Sequence, residues 1–155
     1  MRSYTADEIV RQEQALTFDS FSHRDAYGLA NAILAVFPNF FADMSPDEGL
    51  GIRINMDGLL IFQYLGDGKN EDLWLRRKEA TVYLTRHSSL YAWAANRESG
   101  AYGELHGDER YVLCGGGFPL VVDGKFRGSI CVSGLPHEED HELLLAGIRH
   151  FLQGR

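Results

Sequence analysis

The strongest constraint on the fold of this chain is a pair of Asp-Gly dipeptides, each set between two strand-like segments. Asp57-Gly58 and Asp123-Gly124 supply the positive φ angles that a two-residue type I′ turn needs. The segments that they join are residues 51–56 with 59–64 and residues 117–122 with 125–132. Because such turns connect antiparallel strands, both sites predict β-hairpins.

The second hairpin carries a prediction about the two cysteines. Symmetric pairing about its turn puts Gly116 opposite Cys131 and Cys114 opposite Ser133, so the cysteines would be diagonal neighbours on one face. A contact would be allowed without a disulfide, and we interpret both as small buried residues. Two cysteines without metal-type spacing or a disulfide framework indicate a reducing, cytoplasmic setting.

Helical patterns surround both hairpins. Residues 5–8 form a capping-box pattern that predicts a helix to about residue 18. Residues 22–25 begin a second helix, whose apolar positions recur every three or four residues until Pro38. Further helices are expected from Glu71 to about Leu84, from Ser88 to about Asn96 and from Pro136 to Leu152. The polar, glycine-rich residues 98–110 predict a loop.

The order of these elements predicts the fold class. Helices, hairpin, helices, hairpin and helix follow one another, which favours an α+β sheet flanked by helices over a parallel doubly wound fold. A chain of 155 residues without an internal linker is expected to form a single domain, 1–155, with its N-terminal helices in residues 1–40.

Charge and hydropathy narrow the function classes. The formal net charge of −7 argues against a nucleic-acid partner, and no apolar run predicts a membrane span. The one basic cluster, residues 76–78, is interpreted as a solvated helix face or as part of a binding site.

Residues 137–141 match H-E-x-x-H, in which two imidazoles four apart on a helix share a zinc ion. A zinc-dependent hydrolase also needs a third protein ligand, and none of the other histidines lies in a recognisable ligand motif. The acidic residues at 138–140 suit the positive end of a helix dipole. We therefore favour a polar first helical turn, structural or ligand-facing, and predict no metal; the hydrolase is the weaker alternative.

Two further segments have both a structural and a functional interpretation. Asn70, Trp74 and Lys78 lie four apart on one helix face. They are either a cap, a core indole and a surface cation, or one wall of a pocket for an anionic, flat or carboxylate-bearing ligand. Arg77 could add a planar donor fork to that wall. Residues 115–117, all glycine, form either a flexible approach to a strand or a place where a ligand or second subunit meets bare backbone.

The second hairpin and its flanks resemble a known family. Gly116-Gly117-Phe118-Pro119-Leu120, Asp123-Gly124 and residues 128–134, followed by a helix with an acidic start, are similar to the GlcG/HbpS-like haem-degrading domain. Residues 51–84 fit the N-terminal half of that domain, so the family core would span residues 48–152. Asn70, Trp74, Lys78 and residues 139–141 look closest to a branch of short stand-alone members.

The resemblance implies a profilin-like α/β sandwich with a central, mainly antiparallel sheet of about five strands flanked by helices. It also implies a homodimer or higher oligomer, and haem as a candidate cofactor. His137, His141 and His23 would be candidate iron ligands, with Lys78 and Arg77 near the propionates and Trp74 or Phe118 against the ring.

The resulting hypothesis is a small-ligand-binding domain, for haem or a related tetrapyrrole, that acts as a homo-oligomer. The alternative is a protein-interaction adaptor without catalysis. The predicted ligand-binding residues lie on the third helix, the triglycine approach and the start of the last helix: Asn70, Trp74, Arg77, Lys78, Gly115, Gly116, Gly117, Phe118, His137, Asp140 and His141.

Overall fold

The computed structural model describes residues 4–41, 43 and 45–155, and in them the chain forms one sheet with helices packed on it. The strands are β1 (Gly51–Met56), β2 (Leu59–Leu65), β3 (Gly117–Val122) and β4 (Lys125–Ser133). The helices are α1 (Ala6–Ala15), α2 (His23–Val36), α3 (Pro46–Gly49), α4 (Leu73–Thr85), α5 (Ser89–Ser99) and α6 (His137–Gln153). Short 3₁₀ turns occupy Phe37–Asn39 and Gly103–Leu105. The first three residues of the predicted helical segment 1–40 lie outside the described part.

Both predicted hairpins are present, and they join edge to edge into a sheet of order β2-β1-β4-β3 in which every neighbour is antiparallel. Asp57 and Asp123 adopt positive φ angles of 54° and 51°, as the turn type requires. The α+β class is confirmed. The expected count of about five strands is wrong, because the described residues contain four paired strands.

The predicted pairing of the second hairpin is also wrong by one residue. A bulge between Leu120 and Val121 places Gly117, not Gly116, opposite Cys131. A slip of one residue moves a strand's side chains to the opposite face, and Cys114 lies before β3 rather than in it. Both cysteines are free; Cys131 is buried, as predicted, whereas Cys114 is only partly buried.

The first two helices begin where their caps predict. The Thr5 hydroxyl accepts a hydrogen bond from Glu8 N, and Ser22 and Asp25 form a reciprocal capping box. The first helix ends at Ala15, earlier than predicted, because Phe18 then pairs with Val122 beside the edge strand β3. The predicted loop at 98–110 instead begins after α5 and contains the second 3₁₀ turn.

The two faces of the sheet carry different chemistry. Ile52 and Ile54 point towards α2 and α6, and they belong to the main hydrophobic core with Phe118, Leu144 and Ile148. Alternate residues of the same strands face α4, and several of these are polar: Arg53, Asn55, Gln63 and Ser129. Polar side chains buried there need partners, and those partners shape the candidate site.

Candidate functional site

Arg53 anchors α4 to the polar face. Its guanidinium lies 3.0 Å from Glu79 Oε1 and 3.4 Å from Asp72 Oδ2, and it donates to Gln63 Oε1 at 2.7 Å. Paired and hydrogen-bonded in this way, the partly buried cation recovers much of the hydration that it loses. The result is a fixed position for α4, whose next turn carries Lys78.

Lys78 and Asp140 form a buried ion pair between α4 and α6. Lys78 Nζ lies 3.0 Å from Asp140 Oδ2 and donates to the Val132 carbonyl oxygen at 2.8 Å. Asp140 Oδ1 accepts from Leu135 N at 3.0 Å. The side chains are only 3% and 2% exposed. Because these contacts compensate the two buried charges, the pair joins α4, the end of β4 and the start of α6.

Burial dominates the titration of Asp140. It raises the pKa of the Asp140 carboxyl to about 6, although Lys78 and the Leu135 N–H both oppose the shift. The carboxylate is therefore ionised at neutral pH and takes up a proton in mildly acidic solution.

The triglycine segment lies where three helices approach bare backbone. Gly115 N donates to His137 Nδ1 at 3.0 Å, and Gly117 N donates to Ser89 Oγ at 2.8 Å. Gly116 has φ of 123°, and a β-carbon there would collide with Lys78 Nζ and the Val132 carbonyl oxygen. These glycines are required because helices of the same chain pack directly against the backbone here, and not a ligand or a second subunit as one interpretation of the sequence held.

An open cleft of about 530 Å³ lies beside this segment. Its walls come from α4, the residues before β3, the β4–α6 turn and the start of α6. The lining residues are Lys69, Trp74, Lys78, Val112, Cys114, Ser133, Gly134, Leu135, His137 and Asp140. Trp74 is 47% exposed, so the predicted core indole is instead a surface residue of the cleft.

His137 is the imidazole of the cleft, and both of its ring nitrogens have neighbours. Nδ1 accepts from Gly115 N, and Nε2 lies 3.2 Å from Glu138 Oε1. This arrangement assigns the proton of the neutral ring to Nε2. The ring also meets Trp93 edge-on, and burial lowers the pKa of His137. A neutral imidazole is thus favoured here.

The other predicted site residues lie elsewhere. His141 is buried beneath α1, where its Nε2 lies 2.7 Å from Gln12 Oε1, and Phe118 is in the hydrophobic core on the opposite face of the sheet. Arg77 donates from Nε and Nη2 to the Tyr111 carbonyl oxygen, outside the cleft. Asn70 is exposed in the segment before α4. The cleft therefore brings together four predicted residues: Trp74, Lys78, His137 and Asp140.

Sequence patterns missed the wall to which Val112 and Cys114 contribute, in the segment before β3. Thr81 Oγ1 on α4 donates to the Val112 carbonyl oxygen at 2.9 Å and accepts from Val112 N at 3.0 Å, which positions the neighbouring Cys114. Burial raises the pKa of the Cys114 thiol. This segment has no periodicity that could have predicted its place, because two side chains of α4 rather than regular secondary structure hold it.

The structure also bears on the zinc-hydrolase alternative and on the expectation about membrane spans. Within residues 4–41, 43 and 45–155, no group of three or more His, Cys, Asp or Glu side chains could hold a metal ion. No helix among the same residues is long and apolar enough to cross a membrane.

Comparison of the chain with known proteins identifies its relatives. Residues 43–149 match the family model described as "Haem degrading protein HbpS-like". A UPF0303 protein of Brucella anthropi is 36% identical, with 94% of this chain and 86% of that protein covered. A UPF0303 protein of Schizosaccharomyces pombe is 32% identical, with coverages of 93% and 82%. The resemblance inferred from the second hairpin is confirmed.

Solved structures share the fold. The Ybr137w protein has a TM-score of 0.80 at 23% identity, covering 96% of this chain and 89% of that one. The PduOC:heme complex has a TM-score of 0.66 at 20% identity, with coverages of 84% and 94%. HbpS has a TM-score of 0.61 at 16% identity, with coverages of 83% and 88%. At these identities the likeness concerns the fold alone.

Proposed function

This chain belongs to the HbpS-like family, and on that premise we propose that it binds a flat, anionic small molecule of the tetrapyrrole class, such as haem, in the cleft beside Trp74. The observation that carries the proposal is the exposure of the Trp74 indole on the wall of a cleft of about 530 Å³. A large aromatic ring exposed in a concave site is typical of ligand contact rather than of packing.

The charges around Trp74 support an anionic ligand. Lys69 lines the cleft, and its Nζ donates to the neutral Ser133 hydroxyl at 3.5 Å. The Arg77 guanidinium lies 4.9 Å from the Trp74 ring centroid and is hydrogen-bonded to a carbonyl rather than a carboxylate. Among the described residues neither cation has an ion-pair partner. Both can therefore attract ligand carboxylates without breaking an existing ion pair.

The cleft fits the ring and carboxylates of haem better than it fits the iron. A neutral imidazole that ligates iron through Nε2 carries its proton on Nδ1. His137 Nδ1 faces the Gly115 N–H donor, so ligation would require that contact to break. Haem would supply redox chemistry when bound, whereas the residues present here would hold its ring and its acidic groups.

The experiment is a parallel titration of the purified protein with haemin and with metal-free protoporphyrin IX, followed by absorbance. Trp74→Ala should weaken both by about tenfold, since the aromatic contact does not involve the metal. His137→Ala should change haemin affinity by less than about threefold. Tyr27→Ala, which removes a 63% exposed aromatic ring from α2, is the matched control and should leave both affinities unchanged.

The titration can fail in two informative ways. If neither compound binds to the native protein, a tetrapyrrole is the wrong ligand class. If haemin alone binds, and His137→Ala abolishes it, iron ligation rather than ring contact is the basis of recognition.

We further propose that the protein works as a homo-oligomer in the cytoplasm. β2 is an edge strand without a charged residue, and Leu59 and Leu60 on it are exposed, which favours self-association. Native mass spectrometry should report a dimer or higher species for the native protein and a smaller one for Leu60→Asp. Leu84→Asp, at an exposed leucine of α4, is the matched control.

A further inference from the structure

Three guanidinium groups line a second cavity beside α4. This cavity has a volume of about 560 Å³ and is lined by Leu73, Arg76, Arg77, Glu109 and Arg110. We propose that it is an oxyanion site, which binds a carboxylate or phosphate group of a small molecule.

Each of the three guanidiniums is already oriented by the protein through its Nε side. Arg76 Nε donates to Asp72 Oδ1 at 2.8 Å. Arg77 uses Nε and Nη2 for the Tyr111 carbonyl oxygen, at 3.1 and 2.8 Å. Arg110 uses Nε and Nη2 for the two carboxylate oxygens of Asp108, at 3.1 and 2.7 Å. These bonds restrict the side chains before any ligand arrives, which lowers the entropy cost of binding.

The same pattern leaves the opposite edge of each group unused. In the part of the chain that the structure describes, Nη1 of Arg77, Nη1 of Arg110 and both Nη atoms of Arg76 have no hydrogen-bond acceptor. A guanidinium fork matches the geometry of a carboxylate or phosphate, and several such donors around one cavity favour an oxyanion over a neutral ligand.

The charge balance limits how much anionic charge the cavity can bind. Asp72 and Asp108 pair with Arg76 and Arg110, and Glu109 lies on the cavity wall, so much of the positive charge is compensated. Arg77 donates to a carbonyl oxygen, and no carboxylate among the described residues forms an ion pair with it, so its positive charge is not compensated. The site should therefore bind one oxyanion group rather than a densely charged polymer.

This chemistry has two sources that an experiment can separate. The oxyanion could be a propionate of the tetrapyrrole proposed for the neighbouring cleft, because Arg77 contacts both the Trp74 ring and the second cavity. It could equally be a separate phosphate-bearing molecule. Only the first source rests on the proposed function.

The test compares the native protein with the double variant Arg76→Gln, Arg110→Gln, which keeps the Arg77 contact with Tyr111. A second double variant, Arg11→Gln with Arg24→Gln, removes two exposed arginines of α1 and α2 and controls for net charge. The probes are pyrophosphate, haemin and haemin dimethyl ester, which lacks free carboxylates, each titrated by calorimetry at constant ionic strength.

If the ligand is a separate phosphate-bearing molecule, the native protein should bind pyrophosphate saturably. The first variant should bind it about tenfold more weakly, and the control variant should bind it as the native protein does. If the ligand group is a propionate of the tetrapyrrole, the first variant should bind haemin about tenfold more weakly than the native protein does, and its affinity for the ester should be unchanged. Either pattern supports the oxyanion site. The proposal is overturned if the first variant binds all three probes as the native protein does. If the native protein binds pyrophosphate but not haemin, the proposed tetrapyrrole ligand is wrong and the oxyanion site stands.

Discussion

The two faces of the sheet differ in what holds their helices. On one face, Ile54 and Phe118 pack with α2 and α6 in an apolar core. On the other, α4 is held by Arg53 with its carboxylate partners and by the Lys78–Asp140 pair. The cleft and the arginine-lined cavity both adjoin α4, so the face that depends on specific polar contacts is also the face that we propose binds ligands.

This difference has an energetic consequence. Apolar burial is nondirectional and tolerates approximate geometry, whereas a buried ion pair is favourable only while both partners and their hydrogen bonds remain in place. The apolar face should therefore carry most of the stability and the α4 face most of the specificity. Substitutions on the two sides should separate these contributions.

Phe118→Ala should have the largest effect. Phe118 is fully buried on the apolar face, and its truncation should lower the free energy of unfolding by about 4 kcal/mol through lost burial and a cavity. Urea denaturation measures this, with the exposed Tyr27→Ala as control. A loss no larger than that of the control would mean that the apolar face is not the main source of stability.

Lys78→Met should cost slightly less, about 3 kcal/mol at neutral pH, because it leaves the Asp140 carboxylate buried without its cation. Adding Asp140→Leu should restore about half of the loss, since two apolar residues need no partners. The same denaturation assay measures both variants. A double variant no more stable than Lys78→Met would show that the ion pair itself stabilises the α4 face.

Gly116→Ala should cost about 2 kcal/mol, because a methyl group at this positive φ meets Lys78 Nζ and the Val132 carbonyl. Gly100→Ala is the matched control: Gly100 also has a positive φ, of 72°, but its added methyl group would meet open space. Equal losses of stability in the two variants would leave backbone strain alone as the explanation.

The smallest expected effect is a pH dependence. The pKa of Asp140 is raised to about 6 in the folded protein by burial, so the folded state binds this proton more tightly than the unfolded state does. Stability from this group should rise by about 1 kcal/mol as pH falls from about 7 to about 5, and be lost as pH rises through about 6.

The comparison with Asp140→Asn isolates that effect, because it cancels the opposite contribution of His137, whose pKa burial lowers. Denaturation curves of both proteins at each pH provide the measurement. If the two show the same pH dependence, the carboxyl of Asp140 does not titrate in this range.

The sequence was sufficient for the hairpins and helix starts because their signals are local. Asp-Gly at 57–58 and 123–124, and the cap at Ser22, act within a few residues of themselves. The pairing beyond the second turn was predicted wrongly, since the bulge at Leu120 leaves no comparable local pattern. One displaced residue was enough to change which glycine lies opposite Cys131.

The candidate site was predictable only in part. Trp74, Lys78 and Asp140 lie on helices, where spacing indicates a shared face. Spacing also grouped His141 with His137. Successive turns of α6 have different neighbours, however: His137 lines the cleft, whereas His141 is covered by α1. Cys114 joins the cleft through long-range bonds between α4 and residues 111–112, which no local pattern encodes.

The most direct test of ligand binding on the α4 face is the alkylation rate of Cys114 by iodoacetamide, with and without saturating haemin. Cys114 lines the cleft, whereas Cys131 is buried with a pKa raised to about 12 and serves as an unreactive internal control. A ligand in the cleft should slow modification of Cys114 by about fivefold, because it blocks access to the thiol. An unchanged rate at full haemin occupancy would place the ligand elsewhere and contradict the account.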